Sequence, residues 1–341
     1  MSIGIGVVGS GFMGRTWSEV SARHARGTHL VAVTGGRRAP QLAQDYGVAL
    51  EPSLEALLAR PDVHAVVLAT PPDGHGDQTV AAAEAGKHLL VEKPMANTVA
   101  ECQRMVDAAD AANVRLALVS QHRWRDAPVA AKRAIDEGRV GDIRMVRVQS
   151  TATGWWDLEA RQDQWKKDPQ RQSAFASDAA HGCDIARWYM NLPNPVRAFS
   201  QFRSYSGFVP GESSMSVFAM DNDVLVEYWM TYELPEPGLG SMSLFVAGSK
   251  AMLQVDVYGK VEISRPEGGW DVIFEQGPFD PLNAVDPARL RAYAGQMEDL
   301  VAAIAERRDP FVSGRQGVIT TQMLEGAERS AHTNKAVELP L

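Results

Sequence analysis

Ile3, Ile5, Val7 and Val8 form an apolar run that stops abruptly at Gly9-Ser10-Gly11-Phe12-Met13-Gly14. That run reads as a buried strand entering a glycine turn, with a helix possible over 15–26 and a next strand at Leu30–Val33. Further strands are predicted at 65–69, 88–91 and 115–118, and helical patterns at 39–46, 54–59, 76–85 and 100–113. Strict alternation of strand and helix predicts a parallel sheet covered on both faces. From about Ser150 the pattern changes to longer alternating strands at 196–202, 213–220, 224–232, 241–246 and 251–257, with a helix at 178–190. The prediction is therefore an α/β chain with a Rossmann dinucleotide-binding domain over 1–121. A second α+β domain over 122–341 carries an open, mostly antiparallel sheet. A final helix at 290–307 precedes a tail.

The glycine turn carries the first chemistry. In G-x-G-x-x-G after a strand, Gly9 permits a tight turn and Gly11 lets the backbone approach a diphosphate without a Cβ in the way. Gly14 lets the helix pack close, so that its N-terminal N–H groups face the anion. The motif alone is weak evidence; its place inside a βαβ unit gives it weight. The second predicted strand ends Val33-Thr34-Gly35-Gly36-Arg37-Arg38, with no acid to take a ribose diol. An arginine pair there suits the 2′-phosphate of NADP, and the reading leans that way with NAD as the other cofactor.

Composition narrows the class. A chain of 341 residues has length for two cores, and a net charge of −8 lacks the basic footprint of a nucleic-acid binder. No apolar stretch approaches the length of a membrane span, and no basic region precedes the first apolar run as in a signal peptide. The two cysteines, Cys102 and Cys183, show neither metal-ligand spacing nor a disulfide framework, so no metal and a cytoplasmic setting are expected.

Several short motifs then recur in order: Gly9 to Gly14, Thr70-Pro71 with His75, Glu92-Lys93-Pro94, His122-Arg123-Trp124, and Gly138-Arg139-Val140-Gly141. His181-Gly182-Cys183-Asp184, Gly248-Ser249-Lys250-Ala251 and Ser330-Ala331 continue the series. With these motifs the whole chain resembles the glucose–fructose oxidoreductase and inositol dehydrogenase family, Gfo/Idh/MocA. The resemblance implies a nicotinamide cofactor and a sugar or polyol substrate. It places the cofactor on Gly9, Gly11, Phe12, Met13, Gly14, Gly36, Arg37, Arg38, Thr70, Pro71, His75, Glu92 and Lys93.

For the chemistry the resemblance implies Lys93 as the group that holds the reacting oxygen near the nicotinamide, oriented by Glu92. An ammonium there lowers the pKa of a bound hydroxyl and stabilises developing negative charge. His181 is the candidate for the hydroxyl proton, since histidine is poised near neutral pH. Here the chain departs from the family pattern of a glycine triplet followed by Asp-x-x-x-His. It has Gln172-Ser173-Ala174, and Ser177 stands four residues before His181 with Asp178 three before. Asp178 is expected either to orient the imidazole or to cap the helix. Substrate contacts are expected from His122, Arg123, Trp155, Trp156, Trp165, Lys166, Arg171 and His181. Indole faces stack on sugar C–H surfaces, and Lys or Arg binds an anionic substituent.

The leading expectation is an NAD(P)-dependent oxidoreductase acting on a secondary hydroxyl of a sugar, glycoside or polyol, an anionic one among the candidates. Two others stand beside it: a redox-neutral, NAD-dependent glycoside hydrolase of the same fold, and a non-catalytic sensor of dinucleotide and sugar. Retention of Lys93 and His181 argues against the sensor. Tyr228, Trp229, Met242, Leu244 and Phe245, placed near the open face of the second sheet, suggest a homodimer or homotetramer.

Overall fold

A computed structural model describes residues 2–152, 168, 173–205, 207, 211–234, 242–278, 280 and 283–341. The chain forms two compact units, Met1–Trp124 with Phe279–Val318, and Arg125–Pro278 with Ile319–Leu341. In the first, strands β1 (Ile3–Val8), β2 (Thr28–Thr34), β3 (Ala49–Leu50), β4 (Ala65–Leu68), β5 (His88–Val91) and β6 (Leu116–Leu118) are ordered β3-β2-β1-β4-β5-β6. Every pairing is parallel. The connections are helices α1 (Phe12–Glu19), α2 (Ala39–Tyr46), α3 (Leu54–Leu58), α4 (His75–Glu84) and α5 (Val99–Ala111).

Local chemistry explains these helix ends. The Ser53 hydroxyl accepts from the Ala56 N–H at the start of α3, and Thr98 accepts from Glu101 at the start of α5. Gly47, left-handed at φ 64°, closes α2. The helix predicted over 15–26 begins at Phe12, runs to Glu19 and then widens into a π-helical turn over Val20–His24. Strand order reverses between β1 and β4, so the loops after those two strands flank the crevice where ligands of such sheets bind.

The second unit begins with α6 (Asp126–Asp136), β7 (Ile143–Thr151) and α7 (Ala174–Tyr189). Strands β8 (Pro195–Arg203), β9 (Ser213–Met220), β10 (Leu225–Thr231), β11 (Met242–Gly248), β12 (Met252–Asp256), β13 (Lys260–Ser264), β14 (Trp270–Glu275) and β15 (Val337–Glu338) follow. Their sheet is ordered β14-β13-β12-β11-β7-β10-β9-β8-β15. All pairings are antiparallel except β10 with β7.

One face of this sheet is covered, with Val146, Val148, Tyr228, Met242 and Leu244 packed in one core with Phe175 and Ala179 of α7. This corrects the expectation for Tyr228, Met242 and Leu244, because the period of two along β10 and β11 turns them inward. Trp229 and Phe245 lie on the opposite, open face beside Met145, Met215 and Val217, which are 51%, 56% and 46% exposed.

Helix α8 (Pro287–Glu306) differs most from the expected division at residue 121. Its Leu290, Tyr293, Ala294, Met297 and Leu300 recur at helical spacing and join the core of the first unit with Ile5, Val7, Trp17, Val67 and Leu90. The predicted tail is instead α9 (Gly314–Thr333), 20 residues long. Its glycines hide it from propensity but fit close contacts: a Cβ on Gly317 would lie 2.5 Å from Met95 Sδ.

Candidate functional site

The turn after β1 is built around its glycines. Gly9 adopts φ +105°, and a Cβ there would lie 2.4 Å from the Ala69 carbonyl oxygen in the loop after β4. A Cβ on Gly14 would lie 2.0 Å from the Gly9 carbonyl oxygen. Both positions are thus set by protein packing. Gly11 is different: its φ of −73° and ψ of −164° suit any residue, and among the described residues a Cβ there meets only Arg38 Nη2, at 3.9 Å. The space over Gly11 is therefore free for a ligand, at the N-terminus of α1 and at the switch point of the sheet. This cradle fits the diphosphate of a nicotinamide dinucleotide.

Across the crevice, Gly35 and Gly36 turn the chain at φ +78° and +82°, bringing the Arg38 N–H to the Ser10 hydroxyl at 3.2 Å. Arg37 and Arg38 are exposed, and neither is in an ion pair among the described residues. Arg38 thus flanks the glycine loop. Phe12 is exposed, and Met13 is half-buried beside it.

Lys93 follows β5, so it emerges from the same sheet edge as Gly9. Its neighbour Glu92 is buried and accepts from the Trp17 indole N–H at 2.8 Å and from the Lys93 backbone N–H at 3.1 Å. Glu92 thus fixes the lysine through its main chain, which refines the expected orientation of the side chain. Burial pushes the Glu92 carboxyl up, opposed by the Trp17 hydrogen bond and the Lys93 charge. Trp17 was absent from the sequence reading, though its place on the inner face of α1 was the available signal.

His75 is fully buried, with Nδ1 3.2 Å and 3.1 Å from the carbonyl oxygens of Pro94 and Met95 and Nε2 3.0 Å from that of Thr70. Burial lowers its pKa against those contacts. This corrects the expected cofactor contact: His75 ties the loop after β4 to the loop after β5. Thr70 and Pro71 stay half-buried at that loop, with the Thr70 hydroxyl 2.6 Å from Gln78 Oε1. His122 and Arg123 are likewise buried, Arg123 lying 5.5 Å over the Phe311 ring. Their side chains pack within the first unit, which corrects their expected contact with substrate.

In the second unit α7 begins earlier than predicted because Ser173 caps it, its hydroxyl accepting from the Ala176 N–H at 2.8 Å. Asp178 is therefore interior to the helix, which removes the capping alternative. Its carboxylate accepts from the Tyr228 hydroxyl at 2.7 Å and from the Tyr232 hydroxyl, both on or beside β10. Burial, with the Asp178 charge, holds both phenols well above their ordinary range. His181, half-buried, lies one turn along α7. Gly182 makes room for this arrangement, since a Cβ there would lie 2.5 Å from the Tyr228 ring. The sequence places Tyr228 near the open face and does not single out Tyr232, because the partner of each phenol lies on a distant helix. Trp155, Trp156, Trp165, Lys166 and Arg171 lie outside the described residues.

No helix among the described residues is long and apolar enough to cross a membrane. Residues 3–120 match the sequence model described as the GFO_IDH_MocA oxidoreductase family, NAD-binding Rossmann fold, and residues 129–254 match the GFO/IDH/MocA C-terminal domain. The chain is 28% identical to 1,5-anhydro-D-fructose reductase of Ensifer adhaerens, over 98% of each chain. It is 25% identical to inositol 2-dehydrogenase of Rhizobium meliloti, over 99% of this chain and 100% of that one. The crystal structure of an oxidoreductase domain protein from Kribbella flavida superposes with a TM-score of 0.87 at 25% identity, covering 100% of both chains.

Proposed function

Because the chain belongs to the GFO/IDH/MocA oxidoreductase family, we propose that it is an NAD(P)-dependent dehydrogenase of a secondary hydroxyl on a cyclic sugar, glycoside or polyol. The observation that carries this reading is the turn at Gly9–Gly14. Its one sterically open glycine shares a sheet edge with Lys93. The names of the two full-length relatives support the substrate class, since 1,5-anhydro-D-fructose and inositol are both polyhydroxylated rings.

The dinucleotide, when bound, supplies the hydride acceptor. The residues proposed to hold it are Gly9, Gly11, Phe12, Met13, Gly14, Gly36, Arg37, Arg38, Thr70, Pro71 and Glu92, with the Lys93 side chain turned to the reacting oxygen instead. Lys93 donates a hydrogen bond to the reacting oxygen and stabilises negative charge on it as the C–H bond breaks. His181 takes the hydroxyl proton. Asp178, fixed by two phenols three residues before it on α7, favours the imidazolium that results. Lys166 and Arg171 make an anionic glycoside a candidate substrate. The experiment is a panel of neutral, acidic and sulfonated sugars with NAD or NADP. Reduced cofactor accumulating one for one with ketone supports the dehydrogenase, whereas aglycone release with no accumulated reduced cofactor replaces it by the redox-neutral hydrolase.

The arginine pair is proposed to admit the 2′-phosphate of NADP. Changing Arg37 and Arg38 together to alanine is expected to weaken NADP binding by about 2–4 kcal/mol, the scale of lost charge-assisted bonds, with little change for NAD. Titration calorimetry with both cofactors decides, and equal losses reject phosphate reading.

We also propose that a second copy covers the open sheet face, giving a homodimer or a homotetramer. Met145, Phe199, Met215, Val217 and Leu225 are each more than 40% exposed there. Met215→Glu with Val217→Lys is expected to shift the mass measured by light scattering toward the monomer. An unchanged oligomer would place the interface elsewhere.

A further inference from the structure

Helix α8 carries a buried charge beside the glycine turn. Arg289 is 3% exposed, and its guanidinium donates from Nη1 to the Thr16 hydroxyl at 2.9 Å and to the Ala284 carbonyl at 3.1 Å. From Nη2 it donates to the Tyr293 hydroxyl at 3.1 Å and approaches Met13 Sδ at 3.5 Å. It also lies 4.8 Å over the Phe12 ring and 4.5 Å over the Tyr293 ring. All of these partners are neutral, and no carboxylate pairs with Arg289 among the described residues.

A buried cation is costly unless an opposite charge faces it. Glu92 feels the Arg289 charge but gives its oxygens to Trp17 and the Lys93 main chain. Asp286, a second carboxylate that feels the Arg289 charge, gives its oxygens to the Arg289 and Asp280 backbone N–H groups, so neither carboxylate meets the guanidinium directly. Three of the groups that hold Arg289, namely Phe12, Met13 and Thr16, lie within the first five residues of α1.

We propose that Arg289 is a dinucleotide-binding determinant, bracing Phe12 and Met13 and setting a fixed positive charge behind the α1 N-terminus that the cofactor diphosphate balances. The inference rests on the proposed diphosphate site at Gly9–Gly14 and assigns part of that site to a helix far downstream in the chain. The connection runs through packing as well as charge: Tyr293, which holds Arg289, meets Trp17 edge-on with ring centroids 5.1 Å apart, and Trp17 holds Glu92.

The test measures binding, not turnover. Dissociation constants for NADH and for ADP-ribose, which keeps the diphosphate but lacks nicotinamide, are determined at low and high salt for the wild type, Arg289→Met, Arg289→Gln and Arg289→Lys. Both uncharged variants are expected to weaken both ligands by about tenfold or more and to flatten the salt dependence, while Arg289→Lys retains most of the affinity. Affinity within twofold of wild type, or loss for NADH alone, overturns the inference. If Arg289→Met does not unfold cooperatively, Arg289→Gln, which keeps bulk and N–H donors, decides by the same criteria. A wild type that binds neither ligand defeats the diphosphate site itself, whereas binding by wild type with variants unaffected defeats only the role of Arg289.

Discussion

Replacing Lys93 by methionine is expected to lower turnover at least about a hundredfold while leaving NADH affinity within about threefold of wild type. The size follows from losing a charge aimed at the oxygen where negative charge develops. The split between turnover and affinity follows from the way the loop is held. Glu92 anchors Lys93 by its backbone N–H, and His75 joins the next two carbonyls to Thr70, so shortening the side-chain chemistry leaves the loop in place. His181→Asn should show the same pattern through the proton instead of the charge. Stopped-flow kinetics with fluorescence titration of NADH measures both quantities. Affinity falling in step with turnover would make Lys93 a structural residue.

The second large effect separates two glycines of one motif. Gly14→Ala forces a Cβ to 2.0 Å from the Gly9 carbonyl oxygen, backbone that cannot rotate away. It should cost about 3 kcal/mol or more of stability, seen as a lower unfolding midpoint without any ligand. Gly11→Ala places its methyl in open space with ordinary backbone angles, so the unliganded midpoint should hold or rise slightly. The same methyl fills the cradle, and affinity for NAD(P) should fall about tenfold or more. Equal affinity in Gly11→Ala would move the diphosphate away from this turn.

The first sheet was legible because its strands are buried on both faces and its turns are written in glycine. Ile3–Val8 and His88–Val91 have the bounds the pattern implied. The second sheet was legible where one face is open, so Ser213–Met220 alternates cleanly, but β13, β14 and α6 carry weaker patterns and were not anticipated. Residues that depend on distant partners could not be read from spacing. Asp178 looked like a partner for His181 or a cap; the phenols of Tyr228 and Tyr232 come to it from a strand about fifty residues on. His75 looked functional from the family resemblance, and His122 and Arg123 from residue type, yet burial gives them packing and tethering roles. Arg289 is ordinary in sequence and becomes significant only because α8 returns to the first unit.

In the proposed reaction a hydride leaves a ring carbon bearing a hydroxyl and stays on the cofactor. Cyclic polyols and glycosides deuterated at their ring carbons, incubated with the wild type and stoichiometric NAD or NADP, test it directly by mass spectrometry of cofactor and product. One deuterium on the reduced nicotinamide for each ketone formed is the expected result. Deuterium returned to the sugar, with aglycone released and the cofactor recovered oxidised, would contradict it.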